Sequence, residues 1–199
     1  MISADRFVAD KSTDFDGWLE ARRYGVTATQ VANAATPAGF ERAAAEFLTE
    51  WREPDNPFMR FGRDWESHIA EYVDEAFKVR PNEMLIRGEN PTHLATPDGL
   101  SDDHTVIGEF KTTGKDWGHV DKLPIRYKRQ IQWQLHVTGA RSCIVAWLVR
   151  EEVDGMFVPA TIKPHTGIVF RDEDMIADLV KTADLLWSFV NGGVENVAD

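Results

Sequence analysis

A chain of 199 residues, 43% hydrophobic and 28% charged, is long enough for one well-buried domain spanning 1–199 and too short for two comfortable cores, and its composition is that of a globular chain, for which disorder is not the default. The single cysteine, Cys143, excludes an internal disulfide framework and a cysteine-built zinc or iron–sulfur centre; no apolar run approaches the ~20 residues of a membrane span, and no basic-then-apolar leader opens the chain, so a reducing cytoplasm is the expected compartment and no membrane partner is expected. The net charge of -11 excludes a uniformly basic surface, although Arg22, Arg23, Arg60, Arg63, Lys122, Arg126, Lys128 and Arg129 fall in or beside the segments that carry candidate chemistry.

Taken in order, Ser12-Thr13-Asp14 is a capping sequence for a helix from Phe15 to about Arg23, interrupted by Gly25. Thr27-Ala28-Thr29-Gln30 has capping-box spacing and starts a second helix, which Thr36-Pro37-Ala38-Gly39 breaks. Phe40 to Trp51 and Gly62 to Phe77 read as helices, with a loop at Pro54 to Pro57 between them. After Pro81 the periodicity becomes that of strands: Met84 to Arg87, His93 to Leu100 and Thr105 to Thr112. Helical spacing returns from Leu123 to Val137, with Gly139 as the C-terminal glycine, and Ser142 to Val149 is a nearly continuous apolar run suited to a buried strand. Gly155 to Ala160 and Thr166 to Phe170 form two more strands, and Asp172 to Val190 is an amphipathic helix. The order predicts an α/β (α+β) fold, a central mixed β-sheet flanked by helices.

Within this frame one stretch gathers chemistry that folding does not demand. A strand over Thr105 to Lys111 puts Ile107, Glu109 and Lys111 on one face, with Glu109 and Lys111 about 7 Å apart at Cα. Ser101-Asp102-Asp103-His104 supplies turn residues, so a hairpin brings Asp98 of Thr96-Pro97-Asp98-Gly99 back towards Glu109. The plainer reading is an exposed Glu–Lys pair, which is common and worth little. Three further features weigh against it. Glu66 falls inside the apolar arc of its helix, where a carboxylate needs a cation or donor, unless it reaches water or an arginine from the rim. Gln130 and Gln134, one turn apart, lie in the apolar arc of the Leu123 to Val137 helix, free to serve the backbone, a carboxylate cluster or DNA phosphates. Arg22 and Arg23 beside the helix start at Thr27-Ala28-Thr29 could hold an anion, or Thr27 or Thr29 could simply cap the helix. The six histidines share no metal-ligand spacing and read as surface or loop residues.

An acidic residue on a helix, then Pro-Asp-Gly, then Glu-x-Lys, then a glutamine-bearing helix resembles the PD-(D/E)XK nuclease superfamily. Gly62-Arg63-Asp64-Trp65-Glu66, Thr96-Pro97-Asp98-Gly99-Leu100, Glu109-Phe110-Lys111 and Tyr127 to Thr138 are similar to its lambda-exonuclease and YqaJ-type viral recombinase branch. The resemblance spans about residues 18 to 150 and implies a restriction-endonuclease-like core and a Mg²⁺-dependent deoxyribonuclease, with Mn²⁺ a plausible substitute and two ions the expected number. It implies Asp98, Glu109 and the Phe110 carbonyl as metal ligands, with Glu66 at a second metal or acting through water. Lys111 would orient or deprotonate the attacking water, and Gln130 would hold the site. Arg22 or Arg23 with Thr29 would bind a 5'-phosphate. The same branch implies 5'-to-3' degradation from double-stranded DNA ends, 3' overhangs for phage recombination or repair, a single-strand annealing partner and a homo-oligomer such as a ring trimer. Related alternatives are an endonuclease, a Cas4-like repair nuclease, whose usual cysteine cluster is missing here, and a non-catalytic DNA-end-binding module.

Overall fold

The structure, a computed structural model, describes residues 1–49 and 55–192. After a short 3-10 turn come strand β1 (Phe7–Asp10) and helix α1 (Phe15–Ala21), whose first turn is closed by the Asp14 carboxylate accepting from the Gly17 N–H. Strand β2 (Val26–Thr27) runs into α2 (Ala28–Ala34), and the expected capping box is present: the Thr27 N–H donates to Gln30 Oε1 at 2.8 Å. Helix α3 (Pro37–Thr49) begins at Pro37 rather than Phe40. Proline does not break this helix because the first helical position needs no N–H and already has proline's φ. The expected continuation to Trp51, and Pro54 of the loop, lie outside the described residues.

Helix α4 (Pro57–Phe77) also starts earlier than expected, with Pro57 at its first position and Asn56 Oδ1 accepting from the N–H groups of Phe58 and Met59. It ends at Lys78, which is left-handed with φ 58°. The strands β3 (Val79–Pro81), β4 (Met84–Arg87), β5 (His93–Ala95), β6 (Gly99–Ser101) and β7 (Val106–Thr113) follow. Then come α5 (Ile125–Thr138), β8 (Ser142–Val153), β9 (Met156–Pro159), β10 (His165–Phe170) and α6 (Glu173–Val190). Gly139 takes the left-handed position after α5 with φ 74°, as its place in the sequence predicts.

The principal sheet runs β10-β8-β7-β6-β3, with β9 paired to the far end of β8; a smaller sheet runs β1-β4-β5-β2. Parallel pairs (β7 with β8, β2 with β5) sit among antiparallel ones, so the sheet is mixed and helix-flanked as expected. One expected strand, His93 to Leu100, is in fact two. The chain leaves the small sheet after Ala95 and joins the principal sheet at Gly99, and Thr96-Pro97-Asp98 is the crossing. Asn82 fixes that crossing: its N–H donates to the Asp98 carbonyl at 3.0 Å and its Nδ2 to the Pro97 carbonyl at 2.8 Å.

Alternation along β7 and β8 divides the core. Ile107, Val145 and Trp147 face α5, where they meet Ile131 and Leu135. Phe110, Ile144, Ala146 and Leu148 face α4, where they meet Ile69, Ala70 and Val73. The opposite side of α5 packs through Trp133 and Val137 into a helical layer with α2, α3 and α6. Helix α5 is therefore enclosed on both sides, which is why its polar side chains need internal partners. Gln132 finds them at the β10–α6 junction, donating to the Phe170 carbonyl and accepting from the Asp172 N–H, both at 2.8 Å.

Candidate active site

Strand pairing assembles the acidic cluster. Gly99 lies opposite Gly108 and Leu100 opposite Ile107, so continuing the antiparallel register by one residue sets Asp98 opposite Glu109. Both glycines leave room for one ring: a Cβ on Gly108 would stand 2.9 Å from Phe110 Cε1, and one on Gly99 3.1 Å from Phe110 Cζ. Asp98 Oδ2 accepts from the Phe110 N–H at 2.7 Å, so the carboxylate that begins β6 is tied to the backbone of β7.

Glu109 has no exposed surface, and Gln134 Nε2 donates to its Oε2 at 2.8 Å. Its other oxygen, Oε1, meets the Lys111 ammonium, which also donates to the Phe110 carbonyl at 3.1 Å and stands 3.7 Å from Asp98 Oδ2. Burial pushes the Glu109 carboxyl up to about 7, with the Asp98 charge adding to the rise and Lys111 opposing it. Burial also works against the Lys111 charge, but Glu109 and Asp98 outweigh it and hold the ammonium more firmly protonated than a free lysine. Glu66 projects from α4 into the mouth of the site, half-buried, and burial followed by Asp98 raises its pKa.

Two clefts meet at Glu66. One, about 760 Å³, runs past Lys111 and Thr113 between the start of α4 and the start of α5. The other, about 440 Å³, holds Asp98, Lys11 and Glu83, and Arg63, Glu66 and Phe110 line both. Glu66 and Phe110 stand on their shared wall, Asp98 opens only to the smaller cleft, and Glu109 lies buried behind them.

The donor set suits a hard divalent cation. Among the described residues no group of three or more His, Cys, Asp or Glu side chains gathers as a metal site. What does gather is two carboxylates and a carbonyl: Asp98 Oδ2, Glu109 Oε1 and the Phe110 oxygen all surround one positive charge, that of Lys111. Glu109 Oε1 is buried and is compensated by the charge of the Lys111 ammonium. All-oxygen donors of this kind fit Mg²⁺ or Mn²⁺ better than a soft metal.

Of the remaining expected residues, Gln130 is half-buried one turn before Gln134, and the amide that reaches Glu109 belongs to Gln134. Removing that amide should cost stability as well as chemistry. Gln134→Leu strips a fully buried carboxylate of its neutral donor, a loss of about 2 kcal/mol for a hydrogen bond to a charged group. For a chain of this length we expect a melting temperature lower by about 4–8 °C. An unchanged thermal melt would show that the bond does not hold Glu109.

Arg22 and Arg23 line a third cleft of about 660 Å³ with Trp18 and Gln30. The Arg22 guanidinium lies 4.3 Å above the Trp18 ring, and Trp18 Nε1 donates at 3.3 Å to Thr96 Oγ1, two residues before Asp98. Thr29 is exposed in the first turn of α2, and the Thr27 hydroxyl is buried against Gln30.

The histidines read as surface or loop residues, but one of them is buried in a strand. His93 is 2% exposed; its Nδ1 lies 3.0 Å from His136 Nε2 and its Nε2 2.9 Å from Asp184 Oδ1, which ties β5, α5 and α6 together. Burial and then the neighbouring His93 push the His136 pKa down to about 4. The network is invisible to spacing arguments because its members are contributed by three separate elements.

Compared with known proteins, residues 17–141 match the profile of the YqaJ-like viral recombinase domain. Among solved structures, LHK-Exo, an alkaline exonuclease from Laribacter hongkongensis, superposes with a TM-score of 0.69 at 25% identity, covering 88% of this chain and 92% of that one. Its complex with dAMP superposes with the same TM-score and coverage at 26% identity. A phage-related exonuclease from Haemophilus somnus 129PT shares the fold, with a TM-score of 0.68 at 12% identity over 85% of this chain and 95% of that one. No curated protein matches the chain. Among the described residues no helix is long and apolar enough to cross a membrane.

Proposed function

Because this chain belongs to the YqaJ-like viral recombinase domain family, and is accordingly a DNA exonuclease, we propose that it degrades duplex DNA from 5' ends in a Mg²⁺-dependent reaction and leaves 3' overhangs for phage recombination or repair in the host cytoplasm. The observation that carries the site assignment is the convergence of Asp98, Glu109 and the Phe110 carbonyl on the Lys111 ammonium.

In this reading Asp98, Glu109 Oε1 and the Phe110 carbonyl would hold the metal, and Glu66 would serve a second ion directly or through water. Bound Mg²⁺, or Mn²⁺ in its place, would neutralise charge on the scissile phosphate and make water a competent nucleophile at neutral pH. Gln134 fixes the Glu109 rotamer through Oε2 and so leaves Oε1 for the cation. Lys111, held charged by its carboxylate neighbours, is suited to donating hydrogen bonds to the attacking water and the phosphate oxygens rather than to taking a proton. Gln130, half-buried one turn earlier on the same helix, would help to hold the site.

The Arg22 and Arg23 cleft supplies the 5'-phosphate contact with Thr29, because a guanidinium resting on Trp18 is linked through Thr96 to the strand crossing that carries Asp98. Single-strand annealing proteins and ring-forming copies of the chain are the partners this reading calls for.

Linear duplexes labelled at either end, with and without a 5'-phosphate, test the proposal beside a closed circle. We expect release of label from the 5' end first, about tenfold faster with the 5'-phosphate, for a charge-assisted contact of about 1.5 kcal/mol, and an uncut circle. Cleavage of the circle would favour an endonuclease, and equal rates from both kinds of 5' end would remove Arg22, Arg23 and Thr29 from the account.

A further inference from the structure

Strand β8 overshoots its parallel neighbour. The β7 pairing ends with Thr113 opposite Val149, and Arg150 is the next residue of β8. By alternation Arg150 continues the row Ile144, Ala146 and Leu148, whose members pack against α4. At this position the row carries a guanidinium, half-buried and lining the same 760 Å³ cleft as Glu66, Lys111 and Thr113.

Two rings hold it in place. The Arg150 guanidinium carbon lies 4.4 Å from the Phe58 ring centroid and 5.9 Å from that of Phe157, and the rings themselves are 5.1 Å apart. Gly114 lies beside the head group on the same cleft wall, where a Cβ would be in ordinary contact with an Arg150 guanidinium nitrogen at 3.4 Å.

Charge partners separate Arg150 from the other cations of this cleft. Arg63 is bound by both oxygens of Asp55 at 2.9 and 2.8 Å, and Lys111 by Asp98 and Glu109. Among the described residues no carboxylate pairs with Arg150, although the chain holds 33 acidic and 22 basic residues. A guanidinium placed by aromatic rings and kept from internal carboxylates offers its planar donors to an external oxyanion.

We propose that Arg150 grips a backbone phosphate of the DNA, forming a subsite of the cleft that opens at Lys111. Lys111 lies opposite Trp147, so Arg150 stands three residues farther along β8, ~10 Å at ~3.3 Å per residue, which matches about three nucleotides of axial rise at ~3.4 Å each. The subsite reads charge and not sequence, because a phosphate contact positions the strand without touching base edges. It rests on DNA being the substrate.

The test is equilibrium binding of a 5'-labelled linear duplex to an Asp98→Ala protein, which cannot cut, with and without Arg150→Ala or Arg150→Gln, at salt between roughly 50 and 200 mM. The glutamine variant keeps the first methylenes and an uncharged polar head while losing the charge, so comparison with the alanine variant separates the effect of charge from an effect on folding. We expect both variants to weaken binding about tenfold and to lower the slope of log Kd against log salt by about 0.9, the signature of one fewer phosphate neutralised. Arg150→Lys should restore the slope but only part of the affinity, since an ammonium lacks the planar fork that stacks. In otherwise wild-type protein Arg150→Gln should raise KM with little change in kcat. A slope unchanged in both variants, or a fall in kcat at unaltered KM, overturns the proposal. If the Asp98→Ala parent binds no duplex at all, the DNA reading itself fails and the subsite with it.

Discussion

Lys111→Ala should lower the rate of phosphodiester cleavage by about 100- to 1000-fold, the usual effect of removing one charged donor aimed at a reacting phosphate. The same variant should keep its fold and bind Mg²⁺ at least as well as the wild type. The reason is geometric: Nζ contacts the oxygens of Asp98, Glu109 and Phe110 that would receive the metal, so a cation entering the site has to take its place among them. Removing the ammonium also removes a repulsive charge beside the ion. Single-turnover cleavage at saturating Mg²⁺ and calorimetric titration of the metal separate the two effects. Wild-type turnover by the variant would sink the role of Lys111, and a weakened metal affinity would mean that the lysine supports the ion instead of yielding to it.

Asp98→Ala should be at least as damaging, with activity down about 1000-fold or more and Mg²⁺ affinity down about 100-fold or more, because a ligand and its charge are removed together. The carboxylate has a second duty, accepting the Phe110 N–H at 2.7 Å across the β6–β7 pair. Asp98→Asn discriminates between the two duties: it keeps an acceptor for that N–H and removes the charge. We expect the asparagine variant to melt close to the wild type and to remain as inactive as the alanine variant. Recovery of Mg²⁺-dependent cleavage by Asp98→Asn would assign Asp98 to structure alone.

Much of this site is legible in the sequence, and for definite reasons. Glu109 and Lys111 lie on one strand, where period-two alternation fixes their relation, and the Thr27–Gln30 box is a local motif whose chemistry is complete within four residues. Glu66 and the glutamines of α5 stand out because a polar side chain in an apolar arc needs a partner, and Gln134 has one in Glu109. Which glutamine meets Glu109 depends on the angle at which α5 crosses β7, a tertiary quantity that a helical wheel does not contain.

The failures follow the same division. Strands β1, β2 and β3 have two to four residues, too few to establish a period, and exist because neighbouring strands pair with them. His93 to Leu100 reads as one strand because its residues favour extension throughout; the change of sheet at Thr96-Pro97-Asp98 is set by Asn82, fourteen residues before Thr96 in sequence and absent from any local pattern. Helices α3 and α4 start earlier than expected because Pro37 and Pro57, which read as breakers, occupy first helical positions. Arg150 has no local signal, since its meaning depends on Phe58 and Phe157, one of them far away in sequence.

The acidic total is also easier to interpret in the fold. Several surface carboxylates are occupied with nearby cations, as in the pairs Lys11–Glu83, Arg80–Asp102 and Arg171–Glu173, so the net charge of -11 says little about the clefts. The cations that line the cleft beside Glu66 are Lys111, Arg63 and Arg150.

Asp98, Glu109 and the Phe110 carbonyl, in this account, form a metal site now spanned by the Lys111 ammonium. Anomalous diffraction from a crystal soaked in Mn²⁺ tests it most directly. The expected result is a peak within about 2.3 Å of an Asp98 carboxylate oxygen, Glu109 Oε1 and the Phe110 oxygen, with Nζ moved away from all three. A peak elsewhere, or Nζ still seated among those oxygens at saturating Mn²⁺, would contradict it.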